Sequence, residues 1–339
     1  MERIYIMKTS FIDLHLHLDG SLYLPWQYEK ALEFKTIAPD TTFEEYYDKM
    51  YQTEFKTREE GFKRFDIPIA VLQTKESLAD SVYLLLKQCY ELGLVYVEIR
   101  FAPQQHTSIL SQDEVVASTI EGLNRGMNEF DIKGNLILCC MHKGDHASFN
   151  MKQNLETVEV ASKYLNKGVC AIDLAGYENT GPFMAYEPIF IKAKELGVPY
   201  TIHAGEMGEG VHVPEAIKMG AYRIGHGINC IQNEEWLQEV VDTQIPLEVC
   251  VTSNCGVERN YAKHPIRTLL ERNVKVTLNT DNMTLSRTNL NYEHYECKMI
   301  GISEETLMQC TYNAIDAAFC SQETKEWIRK KIEEINENK

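Results

Sequence analysis

The sequence predicts an α/β protein built as one (β/α)8 barrel, the TIM barrel, and three observations lead to this fold class. Eight short apolar runs recur along the 339 residues. These runs are too apolar for strands wetted on one face, and segments with helical periodicity separate them. No GxGxxG follows the first run, so a closed barrel is favoured over an open doubly wound sheet. A single domain over residues 1–339 accommodates all eight units.

The predicted elements follow one another in regular alternation. The eight apolar runs are 12–18, 94–102, 135–141, 169–175, 198–204, 221–227, 245–251 and 274–278. Helical periodicity marks the segments 78–92, 114–130, 187–196 and 234–241 between them. Strands that alternate with helices in this way are typical of a parallel β/α architecture.

Two segments exceed this eight-unit plan. Residues 22–70 form a long insertion after the first strand, on the side where barrel active sites lie, and we expect a helical lid there. Its aromatic residues either cover a bound ligand or form plain helix core: Trp26, Phe43, Tyr46, Phe55, Phe62 and Phe65. Residues 323–339 form an extra, highly charged C-terminal helix, for which we expect solvated packing and no chemistry.

The composition excludes several classes of function. A formal net charge of −16 opposes binding to phosphate backbones, so nucleic acid is not an expected partner. The first residues lack the apolar core of a signal peptide, and no window approaches ~18 unbroken apolar residues. The ten cysteines include no CxxC pair, and we expect reduced thiols. We therefore expect a cytoplasmic protein that does not bind the membrane, with its oligomeric state left open.

The most informative motif is a pair of histidines one residue apart, His15 and His17, at the end of the first apolar run. Alternate side chains of a strand share a face, so both imidazoles point the same way from the carboxyl end of a buried strand. A strand can present two ligands to one metal ion in this manner. Because an isolated H-x-H more often belongs to core histidines, the other strand ends decide between the two interpretations.

Polar residues follow four of the later runs. Their strings are His203-Ala-Gly-Glu206, Arg223-Ile-Gly-His226, Glu248-Val-Cys-Val-Thr252-Ser253-Asn254 and Asn279-Thr280-Asp281-Asn282. The carboxyl ends of barrel strands converge at the mouth, where catalysis takes place in this architecture. One ion can thus be surrounded by His15, His17, His203 and Asp281. Three imidazoles and a carboxylate without cysteine suit zinc, and we expect one zinc ion per chain.

These strings, together with His15-Leu-His17-Leu-Asp19-Gly20 and Gly225-His226-Gly227, resemble the adenosine deaminase family of the amidohydrolase superfamily in its bacterial form. Weaker matches at 96–103, 173–176 and 251–254 occur in the family's order, so the resemblance runs from about residue 11 to residue 320. It implies a zinc-dependent hydrolase of purine metabolism that deaminates adenosine, and 2′-deoxyadenosine as well, to inosine and ammonia.

The resemblance also implies a role for each site residue. The four residues of the predicted metal site would hold zinc, which lowers the pKa of bound water to about 7. Glu206 would donate a proton to N1 of the purine, and His226 would orient the attacking water and help to deprotonate it. Asp19 would contact the ribose, the backbone of Gly176 would meet N3, and Asn282 would face N7.

The substrate-binding roles have structural alternatives. Asp19 and Gly20 can simply form the turn that leaves the strand, and Asn282 can cap a following helix. Asn282 also stands where the mammalian enzymes have a second aspartate, although its amide can donate to N7 without first being protonated. His142 stands where an arginine is usual. These departures concern the fit of the substrate more than the reaction.

Three other functions compete with adenosine deamination. The same chemistry on adenine, methylthioadenosine or an adenosine phosphate is the first; a phosphate needs two or three basic groups near the mouth, for which Arg259 and Arg287 are candidates. A phosphotriesterase-like or dihydroorotase-like hydrolase is the second, but it would use a lysine after the fourth strand, where this chain has Asp173-Leu-Ala-Gly176. The third is a binding protein that has lost activity. Such a loss would be expected to remove a metal ligand or the catalytic acid, and this sequence has all of them.

Overall fold

A computed structural model describes residues 11–50, 61, 63–144, 146–178 and 182–337. Within these ranges the chain forms eight strands at the positions that the apolar runs predict. They are β1 (Ile12–His17), β2 (Tyr96–Phe101), β3 (Lys133–His142), β4 (Val169–Gly176), β5 (Thr201–Ala204), β6 (Arg223–His226), β7 (Leu247–Val249) and β8 (Val276–Leu278).

The strands close into a barrel. Hydrogen-bonded order runs from β1 to β4 in one half and from β5 to β8 in the other, and each of these neighbouring pairs is parallel. At one seam Leu16 pairs with Asp281, which follows β8, and at the other Ile172 pairs with Tyr200, which precedes β5. The amide of His17 also donates to the carbonyl oxygen of Asp281 at 2.7 Å. The predicted (β/α)8 barrel is confirmed.

Helices cover the outside of the barrel. The α-helices of the described residues are α1 (Leu24–Glu33), α2 (Phe43–Met50), α3 (Asp66–Val71), α4 (Lys75–Glu91), α5 (Gln112–Glu129), α6 (Met151–Tyr164), α7 (Glu187–Glu195), α8 (His212–Met219), α9 (Glu234–Thr243), α10 (Val251–Cys255), α11 (Ile266–Glu271), α12 (Leu290–Met299), α13 (Glu304–Ala317) and α14 (Gln322–Glu337). The four segments with helical periodicity correspond to α4, α5, α7 and α9.

Local sequence signals explain the first two long helices, α4 and α5. Reciprocal hydrogen bonds between Thr74 and Ser77 begin α4, and a second capping box at Ser111 begins α5. The helices pack closely because Gly122 has no side chain: a Cβ at that position would lie 2.0 Å from the carbonyl oxygen of Ala79. Of this pair, α5 packs against β3.

The insertion after β1 is helical, as the sequence predicts, and consists of α1, α2 and α3 within the described residues. Tyr46 is completely buried, with its ring centroid 5.4 Å from that of Tyr28, whereas Phe43 is 40% exposed. Arg64 reaches across to the loop after β8 and donates to the carbonyl oxygen of Leu285 at 3.1 Å. Phe55 and Phe62 lie outside the described residues. The insertion therefore borders the mouth, and part of its aromatic set is core.

The C-terminal helix α14 is solvated only on its outer face. Ile328 and Ile332 are buried and pack into a cluster with Phe11 and Leu14 of the first strand region. We expected this helix to pack loosely in contact with solvent. Only its outer face does so, because its inner face contributes to the apolar core beside the amino-terminal end of the barrel. Of the helices that the structure describes, none has an apolar stretch long enough to cross a bilayer.

Candidate active site

The predicted site residues meet at the carboxyl ends of the strands. His15 and His17 lie in β1 and His203 in β5, while His226 ends β6 and Asp281 follows β8. The backbone φ angle is 62° at both His226 and Asp281. This left-handed conformation costs a non-glycine residue on the order of 1–3 kcal/mol, and it is concentrated at functional sites. The strained backbone aims both side chains at the same opening.

The four predicted metal ligands converge on one point. Nε2 of His17 lies 3.4 Å from Oδ1 of Asp281 and 3.3 Å from Nε2 of His203. Nε2 of His15 lies 3.7 Å from the same Oδ1 atom; it is buried and has no hydrogen-bond partner among the described residues. A buried polar atom without a partner is unfavourable, and a cation at the centre of these groups would remove the cost.

Buried carboxylates set the orientation of two of these rings. Oε2 of Glu248 lies 2.8 Å from Nδ1 of His15, and Oδ2 of Asp173 lies 2.8 Å from Nδ1 of His203. A proton held on Nδ1 leaves the lone pair on Nε2, which faces the cluster. Arg100 contacts both carboxylates at 2.8 Å and keeps them ionised.

Burial keeps three of the imidazoles neutral. Removal from water lowers the pKa of His15, His17 and His226 well below the usual histidine value, and the charges of His203 and Arg100 lower it further. At His203 burial is the largest cause and acts to lower the pKa, but the charge of Asp173 and the hydrogen bond to it together raise the pKa. Neutral imidazole is the form that binds a metal ion.

The donor set fits a divalent metal ion. Among the described residues, three overlapping groups have ligand atoms within 4.8 Å of one another: His15 with His203 and His226, His15 with His17 and Asp281, and Glu206 with His226 and Asp281. Imidazole nitrogens with a carboxylate and no thiolate are typical of zinc and of other borderline metals. The second oxygen of Asp281 accepts a hydrogen bond from Oγ of Ser253 at 2.5 Å, which fixes that carboxylate.

Glu206 lies beside His226 at the mouth. Its Oε2 is 3.7 Å from Nε2 of His226, and its side chain is 15% exposed while that of His226 is 1% exposed. On the other side of the ring, Nδ1 of His226 lies 3.0 Å from Nδ2 of Asn254. Oδ1 of Asn254 in turn lies 3.3 Å from Nε2 of His264. The imidazole is thus held from behind while its other nitrogen faces the carboxyl group.

The three predicted substrate-binding residues lie at the same end of the barrel. Asp19 follows β1, accepts the amide of Gly20 at 3.1 Å, and burial raises its pKa to about 6. Gly176 ends β4 with a φ of 103°, and a Cβ there would lie 2.9 Å from the carbonyl oxygen of His142. Asn282 packs on the first loop, since a Cβ on Gly20 would lie 1.7 Å from its Oδ1.

The helix-cap interpretation of Asn282 is wrong. The next helix, α12, begins at Leu290, and its cap is Asn289, whose side chain accepts the amide of Tyr292. Oδ1 of Asn282 is buried without a hydrogen-bond partner among the described residues. The side-chain oxygen of Asn282 therefore can accept a hydrogen bond that the described chain does not supply.

The residues that hold the predicted ligands and acid in place stand in the strings at the strand ends, but the sequence assigned them no role. Glu248 and Asp173 lie within strands, and Ser253 and Asn254 lie in α10 directly after β7. Charged residues inside otherwise apolar runs were the available signal, because such a side chain is buried only where it is paired. Glu178, which follows β4 in a loop, carried no such signal.

Comparison with known proteins identifies the family. Residues 11–335 match the family model described as Adenosine deaminase. The chain belongs to the adenosine deaminase family. An adenosine deaminase of Haemophilus ducreyi is 41% identical to it over 97% of each chain. An adenosine deaminase of Clostridium botulinum is 38% identical over 97% of this chain and 98% of its own. The crystal structure of an adenine deaminase from Arthrobacter aurescens shares the fold, with a TM-score of 0.85 at 24% identity over 96% and 98% of the two chains.

Proposed function

We propose that this protein hydrolyses adenosine, and 2′-deoxyadenosine as well, to the corresponding inosine nucleoside and ammonia. Its similarity over nearly the full length to two adenosine deaminases supports this reaction. The observation that carries the proposal is the pairing of Glu206 with His226 at 3.7 Å, directly beside the cluster of histidines and aspartate. An acid and a base beside a metal site are what hydrolytic attack on a purine requires.

One zinc ion would be held by His15, His17, His203 and Asp281. When bound, the ion supplies Lewis acidity and lowers the pKa of water so that a nucleophile is available near neutral pH. The chain's own contribution is to orient the ligands through Glu248, Asp173 and Ser253. Gly176 is followed by Tyr177 at the end of β4 rather than by a lysine that would bridge two ions, which supports a single metal.

Two residues would move protons during the reaction. Glu206 would donate a proton to N1 of the purine, which makes C6 more electrophilic, and it must therefore enter the cycle protonated. His226 would orient the attacking water and help to deprotonate it, and burial favours the neutral form of the ring by lowering its pKa. Water adds at C6, the C6–N bond breaks, and ammonia leaves, so that adenosine and water give inosine and ammonia.

Three residues would place the substrate. Asp19 would accept a hydrogen bond from a ribose hydroxyl, and the backbone at Gly176 would approach N3, where a larger residue would clash with His142. The Asn282 amide would donate to N7. Its NH₂ group has two hydrogens, so the hydrogen bond that it makes to Asp281 leaves one for the purine.

Deamination of an adenosine phosphate is less well supported. The two arginines that could bind a phosphate already hydrogen-bond to neutral groups: Arg287 donates to the hydroxyl of Tyr47 at 2.7 Å, and Arg259 donates to the carbonyl oxygen of Ser286 at 2.5 Å. These hydrogen bonds use only part of the five N–H donors of each guanidinium, but the two relatives that are similar over nearly the full length are adenosine deaminases and do not point to a phosphate. Free adenine would leave the buried carboxylate of Asp19 without the hydroxyl that we assign to it.

Absorbance assays of the purified protein with adenosine, 2′-deoxyadenosine, adenine and AMP test the proposal. We expect kcat/KM for the two nucleosides to exceed the values for adenine and AMP by at least ~10²-fold, because a site built to bind a substrate hydroxyl discriminates against compounds that lack it or add a charge. A higher kcat/KM for adenine or AMP would transfer the assignment to that compound.

We also propose that the enzyme acts in the cytoplasm. All ten cysteines are free thiols, and eight of them are buried among apolar residues. Cysteines used as small hydrophobes are typical of proteins from a reducing compartment.

A further inference from the structure

The backbone amides of the loop that carries Glu206 are held by one buried side chain from the segment after the neighbouring strand β4. Glu178 follows β4 and is 3% exposed. Its Oε1 accepts the amide of Gly205 at 2.5 Å, and its Oε2 accepts the amides of Glu206, Met207 and Gly208 at 3.1, 3.2 and 2.9 Å. A carboxylate that receives four successive backbone N–H groups fixes the path of that backbone.

A fifth donor completes the surroundings of this carboxylate. Nδ1 of His212 lies 2.6 Å from Oε1 of Glu178, and the ring of His212 stacks on Phe183 with centroids 4.5 Å apart. Burial acts to raise the pKa of Glu178, but the hydrogen bonds from His212, Gly205 and Gly208 lower it to about 2. The group is therefore an ionised acceptor at neutral pH.

The carbonyl groups of the same loop are held by a second side chain. Nδ2 of Asn229 donates to the carbonyl oxygens of Glu206 and Gly208 at 3.1 and 3.0 Å. Glycine is required at both ends of the loop, because Gly205 has a φ of 65° and a Cβ on Gly208 would lie 2.9 Å from Oε1 of Glu178. Both polar edges of the loop are thus occupied by buried or half-buried side chains.

We propose that Glu178 is a positioning residue for the catalytic acid: by holding the amides of residues 205–208, it keeps the carboxyl of Glu206 directed at N1 of the purine. Asn229 supports the same loop from its carbonyl side. The role rests on the proposed function, since it presumes that Glu206 is the proton donor. Glu178 acts through the backbone and does not take part in proton transfer itself.

A double-mutant cycle in the metal-loaded protein tests this role. Glu178→Gln preserves the size of the side chain but replaces one acceptor oxygen by an NH₂ group, which cannot accept from a backbone amide. We expect kcat for adenosine to fall by ~10–100-fold while KM changes by less than ~3-fold, because a small displacement of a reacting group costs that much. In a Glu206→Gln background the same change should lower kcat by less than ~2-fold, since the acid is already absent.

A control variant distinguishes the loss of the Glu178 carboxylate from the loss of a buried carboxyl group elsewhere in the molecule. Glu293 is buried and accepts the amide of Thr252 at 3.0 Å, outside the loop that carries Glu206. Glu293→Gln should change kcat by the same factor in both backgrounds. Equal factors for Glu178→Gln in the two backgrounds would overturn the proposal, and so would a loss of bound metal or a large rise in KM.

A variant on the other side of the loop, Asn229→Ala, tests the same geometry if Glu178→Gln does not fold. Asn229→Ala removes the hydrogen bonds to the carbonyls of the same loop. It should lower kcat in the native protein, but by less than ~2-fold once Glu206 is replaced by glutamine. Additive losses would contradict the proposal. A native protein that turns over no adenine compound would overturn the proposed function and this role with it, whereas turnover with additive losses would overturn only the role of Glu178.

Discussion

At the scale of single residues, the site contains buried carboxylates that arginines hold ionised and one carboxyl group that we propose as the proton donor. Glu248 is completely buried, and although burial acts to raise its pKa, the charges of Arg100 and Arg223 lower it to about 2. Oε2 of Glu206 instead lies 3.7 Å from Nε2 of His226. Glu248 orients one of the predicted ligands, whereas Glu206 would carry the proton.

Replacement of the acid should abolish turnover without emptying the site. Glu206→Gln should retain one bound metal ion and still bind inosine, while kcat falls by at least ~10²-fold, the scale of a general acid. Metal analysis, calorimetric binding and steady-state kinetics check the three parts. Glu209→Gln, an exposed position in the same loop, is the control and should leave all three unchanged. Loss of metal from Glu206→Gln would mean that Glu206 is a ligand.

Asn282 offers a test of purine recognition. Removal of N7 from the substrate also changes the reactivity of C6, so kcat/KM is compared for adenosine and 7-deazaadenosine in both the native protein and Asn282→Ala. If Asn282 donates to N7, most of the native preference for adenosine should vanish in the variant. A neutral hydrogen bond of ~0.5–1.5 kcal/mol corresponds to a factor of roughly 2 to 13. An unchanged preference would mean that Asn282 only packs against Gly20 and hydrogen-bonds to Asp281.

At the scale of elements, the strands were predictable and some helices were not. Strands buried on both faces give unbroken apolar runs, and each of the eight runs contains or overlaps a strand. Helix α12 escaped the periodicity because three of its buried residues are polar: Asn291, Glu293 and His294. Glu178 escaped for another reason, since its partners at 205–208 depend on how two loops meet, and hydrophobic periodicity carries no information about loop paths.

The insertion contains both core and rim residues, and a pair in α2 distinguishes them. Tyr46 is completely buried and Phe43 is 40% exposed, although both contact Tyr28. Tyr46→Ala should lower the free energy of unfolding by about 3–5 kcal/mol through the cavity that it leaves, with kcat/KM for adenosine within ~2-fold of native. Phe43→Ala should cost less than about 1 kcal/mol. Thermal or urea unfolding gives both values. Weaker nucleoside binding by Tyr46→Ala at native stability would instead assign Tyr46 to the lid.

At the scale of the whole molecule, a buried chain of charges connects the two ends of the barrel. Glu98 accepts the amide of Phe319 at 2.6 Å and contacts Arg223, which in turn contacts Glu248 at 2.5 Å. Glu248 then reaches His15 at the mouth. Removal of one member would leave an uncompensated charge in the interior, so the chain of charges makes the geometry of the site depend on the closed barrel.

Titration of metal-depleted protein with zinc, followed by the rate of adenosine deamination, tests the central claim most directly. The convergence of His15, His17, His203 and Asp281 predicts that metal-free protein is inactive and that the rate rises in proportion to added zinc until about one ion is bound per chain. Full activity without metal, or a rate that continues to rise up to about two ions per chain, would contradict a single-metal adenosine deaminase.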